Sequence, residues 1–226
     1  MDLPETGGTY TAVSGSWNQT AYKACPAGTP DSSHTTWVGI GGGASLLQAG
    51  TVLFRNSNND GRDTKNGMVQ PFYEAISSDM SKSIRLTALP RGNMLIYPGD
   101  KIRSIVNYNP STHATTFSVY DSTTGDDYSP AVMYLDSTFY SAKNATFIDE
   151  RLRYGSQDSP LRQFNAGHVQ WNDALAQPAG QTGYVPFGQR RSTKINMVGN
   201  DGNTLATMTY GQGTFTDTWV ACGQLE

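Results

Sequence analysis

Gln48 stands in the middle of an apolar run, Ser45-Leu46-Leu47-Gln48-Ala49-Gly50-Thr51-Val52-Leu53, just after Trp37-Val38-Gly39-Ile40-Gly41-Gly42. An amide in such a run either faces solvent from the polar side of an alternating strand or is buried and held by hydrogen-bond partners, since an unpaired buried amide loses free energy. Carboxylates occur in comparable company. Glu74 lies in the aromatic stretch Pro71-Phe72-Tyr73-Glu74, where a charge is costly unless it is paired or opens onto a groove. In Thr146-Phe147-Ile148-Asp149-Glu150-Arg151, alternation puts Thr146, Ile148 and Glu150 on one face and Phe147, Asp149 and Arg151 on the other. That segment is either a solvated charge cluster at a strand end or the acidic part of a site. The chemistry open to an amide and carboxyls is hydrogen bonding to a small polar group and proton transfer to it.

Other site chemistries find no such support. His34, His113 and His168 are far apart, with no Cys or carboxylate at metal-ligand spacing, so no metal or other cofactor is expected. No Gly-x-Ser-x-Gly elbow exists, and neither cysteine has an activating context. Gly39 to Gly43 leads into more β structure rather than a helix, and reads as a hinge rather than a phosphate-cradling loop.

The elements that must position these groups are strands. Short alternating or β-branched runs recur at 9–17, 35–40, 46–54, 71–76, 84–89, 94–97, 101–108, 114–120, 131–135, 145–152, 167–172, 194–198, 205–210 and 214–220, separated by turn sequences such as Tyr97-Pro98-Gly99-Asp100 and Gly199-Asn200-Asp201-Gly202. Helical periodicity is nearly absent. The fold class is therefore all-β, a single antiparallel sandwich or jelly-roll-like domain over 1–226. Residues 1–8 are read as a disordered or tag-derived N-terminus, and Gln177 to Arg191 as a long surface loop.

Composition narrows the partners. Charged residues make up only 15% of the 226, while Gly, Ser, Thr, Asn, Tyr and Gln abound, the profile of extracellular β-sandwiches. A net charge of −3 with scattered Lys and Arg gives no reason to expect nucleic acid. No apolar run is long enough to span a membrane, no secretory segment is present, and the ends read as those of an excised chain, expected to be secreted and monomeric. Leu3-Pro4-Glu5-Thr6-Gly7 matches a sorting pentapeptide at the wrong end of the chain and reads as coincidence or a tag remnant. Cys25 and Cys222 are expected to form a disulfide in an oxidising compartment, two buried thiols being the alternative.

In order along the chain, Tyr10 to Trp17, Trp37-Val38-Gly39-Ile40-Gly41-Gly42 with Leu47-Gln48-Ala49-Gly50, Tyr73-Glu74, Pro98-Gly99-Asp100-Lys101-Ile102, Asn144 to Arg151 and Phe164 to Trp171 resemble the motifs of the glutamic peptidases, the eqolisins. The resemblance implies a secreted β-sandwich that takes polypeptide as substrate or ligand. In that family a Gln and a Glu activate a water for attack on the scissile carbonyl. The Glu acts as base and then acid, and the Gln holds the water and stabilises the oxyanion. The Gln carries over to Gln48, whereas Thr146 occupies the position of the family's Glu. Gly41 stands where fungal members carry an acid, and Glu74 and Glu150 match neighbouring family acids. Trp37, Gly41, Tyr73 and Thr146 are the expected substrate-binding positions.

A threonine hydroxyl does not shuttle protons as a carboxyl does, and losing a general acid/base typically costs 10²–10⁴-fold in rate. The leading expectation is a peptide-binding cleft with a degraded catalytic site. The alternatives are a working acid endopeptidase that pairs Gln48 with Glu74 or Glu150, and an extracellular structural scaffold. If Thr146 and Gln48 face each other, they also hold the parts of an intramolecular ester formed with loss of ammonia, against an ordinary Thr–Gln hydrogen bond.

Overall fold

The computed structural model describes residues 9–21, 32–42, 45–55, 69–79, 82, 84–88, 94–130, 132–141, 143–150, 153–154, 159–160, 162–163, 167–186, 196–198, 202–210 and 214–220. Among these the chain is almost entirely strand: β1 (Tyr10–Asn18), β2 (Ser32–Gly42), β3 (Ser45–Arg55), β4 (Gln70–Ile76), β5 (Ile84–Ala88), β6 (Lys101–Tyr108), β7 (Ala114–Asp121), β8 (Asp127–Tyr128), β9 (Met133–Tyr134), β10 (Asn144–Glu150), β11 (Arg153–Tyr154), β12 (Ser159–Pro160), β13 (Arg162–Gln163), β14 (His168–Pro178), β15 (Val185–Pro186), β16 (Met197–Val198), β17 (Thr204–Tyr210) and β18 (Phe215–Trp219). One short 3-10 turn, Ser137–Phe139, precedes β10.

Two sheets form the sandwich. The larger has ten strands, with the path β16-β17-β18-β14-β1-β6-β7-β8 and β15 and β9 attached to β14 and β7. The smaller has six, with the path β10-β2-β3-β4-β5 and β13 added in parallel to β2. Period-2 patterning decides which residues lie between them. On β6, Ile102, Ser104, Val106 and Tyr108 turn inward; on β7, Thr115, Phe117, Val119 and Asp121 do. From the smaller sheet Val38, Ile40, Leu47, Ala49, Ala75, Ala145 and Phe147 meet them.

Aromatic contacts bridge the layers. Phe147 meets Trp171 edge-on at 6.0 Å, and Tyr73 stacks on Phe117 at 5.1 Å. The Ser104 hydroxyl donates across the gap to Ala49 O at 2.8 Å. The sheets come close at Gly15, where a Cβ would sit 2.8 Å from the Trp171 ring and 2.9 Å from Val38. This layering is the all-β antiparallel sandwich expected from strand spacing.

Two expectations need correction. Gly39 and Gly41 are not a hinge: β2 runs through both, paired with β3 on one side and β10 on the other. The segment after Gln177 is not one long loop either, because β14 continues to Pro178 and Val185–Pro186 returns to pair with it. Cys25, Cys222 and residues 1–8 lie outside the described residues.

Candidate functional site

The central strands of the smaller sheet place the candidate residues in rows. Thr146, Gly39, Gln48 and Glu74 are successive partners across β10, β2, β3 and β4. The next row is Ile148, Trp37, Gly50 and Phe72, and the one beyond it Glu150, Thr35, Val52 and Gln70. Directly opposed residues share a face, so Thr146, Gln48, Glu74, Trp37 and Glu150 all lie on the face turned away from the inter-sheet core. Trp37, Gln48 and Thr146 are nonetheless buried there.

The hydrogen bonds fix these side chains. Gln48 Nε2 donates to Glu74 Oε2 across the strand pair, while Gln48 Oε1 is buried without a partner. Thr146 Oγ1 donates to Gly39 O at 3.1 Å. The Trp37 indole Nε1 donates to Glu150 Oε1 at 2.9 Å. Burial pushes the Glu150 carboxyl up to about 7; the Trp37 bond opposes this, and the charges of Glu74 and Asp149 add to it.

Glycines make room for this arrangement. A Cβ on Gly39 would lie 2.8 Å from the Trp37 ring and 2.9 Å from Leu47 O, so the bare backbone lets the indole lean over β2. A Cβ on Gly41 would lie 2.6 Å from Ser45 O, so no acidic side chain fits at that position on this backbone.

The sequence-predicted set is thus only partly brought together. Gln48, Glu74, Glu150, Thr146 and Trp37 share one face. Tyr73 does not: its half-buried ring packs against the core on the opposite face, stacked on Phe117 and 6.2 Å from Tyr128, which corrects the expectation that it lies on the Gln48 face. Thr146 and Gln48 do not face each other directly. Gly39 separates their strands, about 10 Å apart by sheet spacing, and each side chain bonds elsewhere, so the ester reading fails on geometry. Asp149, in the segment read either as a solvated cluster or as the acidic part of a site, is buried on the core face with its Oδ1 2.6 Å from both His34 Nε2 and Thr36 Oγ1. Sequence spacing carried no sign of that cluster, whose members are 115 and 113 positions apart. Nor did it show that Gly39 is the spacer of the site. Among the described residues no three His, Cys, Asp or Glu side chains are placed to hold a metal.

The chain matches the model of the Peptidase A4 family over residues 2–219. Its fold is similar to that of scytalido-glutamic peptidase, solved with a transition state analog inhibitor, at TM-score 0.70 and 18% identity over 97% of this chain and 100% of that one. It is also similar to SCP-B, a member of the Eqolisin family of peptidases in complex with the tripeptide Ala-Ile-His, at 0.64 and 17% over 97% and 100%. Aspergilloglutamic peptidase from Aspergillus niger aligns at 0.60 and 20% over 84% and 99%. At such identities the likeness shows the fold. No curated protein matches the chain. The family match runs nearly end to end and agrees with the sandwich found: the chain belongs to the Peptidase A4 family, the eqolisin or glutamic peptidases.

Proposed function

We propose that this chain binds extended polypeptide on the Gln48 face of its smaller sheet, outside the cell, and that its peptide-bond hydrolysis is degraded. The observation that carries this reading is the state of Thr146. Thr146, which the motif resemblance aligns with the family's proton carrier, is a buried hydroxyl committed to Gly39 O, and no carboxyl stands on that side of Gln48 in its row. Gln48 remains able to bind. Its amide is oriented by Glu74, and its buried Oε1 lacks a donor that a peptide N–H or a water would supply.

A fluorescent extended peptide and an unfolded protein substrate at pH 3–5 test this together. Binding without cleavage above background is expected, and Gln48→Ala should weaken binding about tenfold, the equivalent of one hydrogen bond of ~1.4 kcal/mol. Rapid digestion abolished by Gln48→Ala would overturn it.

That outcome would favour the second reading, an acid endopeptidase built on Glu74 and Glu150. Its support is the pair of carboxyls on one face, of which Glu150, with a pKa near 7, is protonated and able to donate at acid pH.

A further inference from the structure

At one end of the larger sheet, the start of β6 and the end of β7 bring two carboxyls together. Asp100 closes the turn Tyr97-Pro98-Gly99-Asp100, and its Oδ2 accepts the Tyr97 N–H at 2.6 Å. Asp121 ends β7, and its Oδ1 accepts the N–H groups of Thr123 at 2.8 Å and Thr124 at 3.4 Å. Each carboxyl therefore commits one oxygen to its own turn. Asp121 Oδ2 is buried with no hydrogen-bond donor; Asp121 pairs with Ile102, two residues on from Asp100, and Ser122 N–H donates to Lys101 O, so the two buried carboxyls are diagonal neighbours on the inner face at the strand ends. Asp100 is 7% exposed and Asp121 0%.

Two buried carboxylates that face each other without a donor repel; a single proton between them converts the repulsion into a charge-assisted hydrogen bond. We infer that Asp100 and Asp121 share one proton and form a clamp, closed in acid, that ties the turn before β6 to the turn after β7. A cation is the other occupant such a pair admits. Here no third His, Cys, Asp or Glu among the described residues joins the pair. The backbone carbonyls around it, those of Gln19, Asp100, Lys101, Asp121 and Asp126, already accept backbone N–H groups. The proton is the simpler occupant.

The charged and titratable neighbours do not neutralise the pair. From the β6 side come Lys101, next in the chain with an exposed side chain, and the exposed ring of Tyr97. The turn after β7 brings Asp126 and Asp127, both exposed, and the segment after β1 brings Gln19, whose amide oxygen already accepts from Trp17 and Thr51. Burial is the largest influence on Asp100 and raises its pKa. The Tyr97 N–H opposes this, and the charge and hydrogen bond of Asp121 raise it further. A pKa raised on folding means that the contribution to stability is full below the ordinary carboxyl range, near pH 4, and is lost as pH rises through the folded-state value.

Asp100→Asn keeps an oxygen for the Tyr97 N–H and supplies a permanent N–H toward Asp121. The test is made in a Glu150→Gln background, which removes the raised Glu150 carboxyl, by following the melting temperature from pH 3.5 to 7.5. The background protein should lose roughly 2–4 °C more over that range than its Asp100→Asn or Asp121→Asn derivatives. In the unsubstituted protein, carboxyl NMR of ¹³C-labelled aspartate should show two coupled groups, with one titrating above the exposed aspartates; this reading stands even if the Asn variants do not fold. An unchanged pH slope in both Asn variants overturns the clamp. So does aspartate NMR without a coupled pair, or a pH-dependent loss that millimolar calcium cancels.

Discussion

Gln48 and Glu74 sit directly opposite each other on β3 and β4, and the Gln48 amide donates to the Glu74 carboxylate. That contact sets which end of the amide is free. With Nε2 committed to Glu74, Oε1 is the atom left buried and unsatisfied, so the amide is aimed as an acceptor.

The pair should behave as a unit. Gln48→Ala and Glu74→Ala, measured singly and together by urea unfolding, should show a coupling of about 1–2 kcal/mol, as for a hydrogen bond to a charged group. Additivity to within about 0.5 kcal/mol would remove the contact from the stability of the site.

On the proposed reading, a carboxyl placed at position 146 on β10 should raise hydrolysis. Thr146→Glu, in the row of Gln48 and beside the bare backbone of Gly39, is expected to raise hydrolysis of unfolded protein at pH 3–5 by about 10²-fold or more. Adding Gln48→Ala should abolish the gain. A folded Thr146→Glu protein with no gain would show that more than this carboxyl is missing.

Why some of this was legible in the sequence and some not follows from the range of the signals. β6 and β7 alternate strictly between polar and buried residues, and their spans 101–108 and 114–121 are nearly those read from the pattern. Gln48 and Glu74 stood out because each is a polar group in an apolar or aromatic strand, and Glu150 because its strand end is rich in acids. Tyr73 was assigned to the site beside Glu74, although neighbours on a strand face opposite ways, so its packing against the core was implicit in the same rule. The role of Gly39 was not implicit. It depends on the register of three strands from separate parts of the chain, which no local pattern encodes.

The same register makes Gly50 intolerant of any side chain. A Cβ there would lie 2.0 Å from Thr36 O and 2.6 Å from Trp37 Cα, both backbone atoms of the adjoining strand. Gly50→Ala should destabilise by about 3 kcal/mol or more, at or beyond the usual range for overpacking, because neither contact can rotate away. Thermal melting should show the loss, with Gly183→Ala, where a Cβ meets nothing within 4 Å, as the near-neutral control.

Strand order bears on the cysteines as well. β1 and β18 both pair with β14, Trp17 opposite Trp171 and Thr218 opposite His168, so both run out beside the start of β14. β1 and β18 thus end at the same end of the larger sheet; Cys25 and Cys222, outside the described residues, follow them in sequence. Protein made under oxidising conditions is expected to show no titratable thiol when unfolded without reductant. Reduction should lower its melting temperature by several degrees, since such links contribute about 2–5 kcal/mol.

Glu150 supplies the last expectation, a pH dependence of known sign. Its carboxyl is raised from 4.5 to about 7, chiefly by burial, so the folded protein holds this proton where the unfolded chain releases it. The contribution to stability is complete below about pH 4.5 and is lost as pH climbs toward and through 7. Glu150→Gln keeps an oxygen to accept the Trp37 indole N–H but cannot ionise. Urea unfolding at pH 4 and pH 7.5 should therefore show a smaller loss between the two conditions in the variant than in the unsubstituted protein, with stabilities close at pH 4. Trp37 fluorescence should report the same titration in the unsubstituted protein alone, because its indole N–H is bonded to the group that ionises. Equal pH slopes in the two proteins would mean that folding does not raise the Glu150 carboxyl, and would remove the raised proton donor that supports the acid-endopeptidase reading.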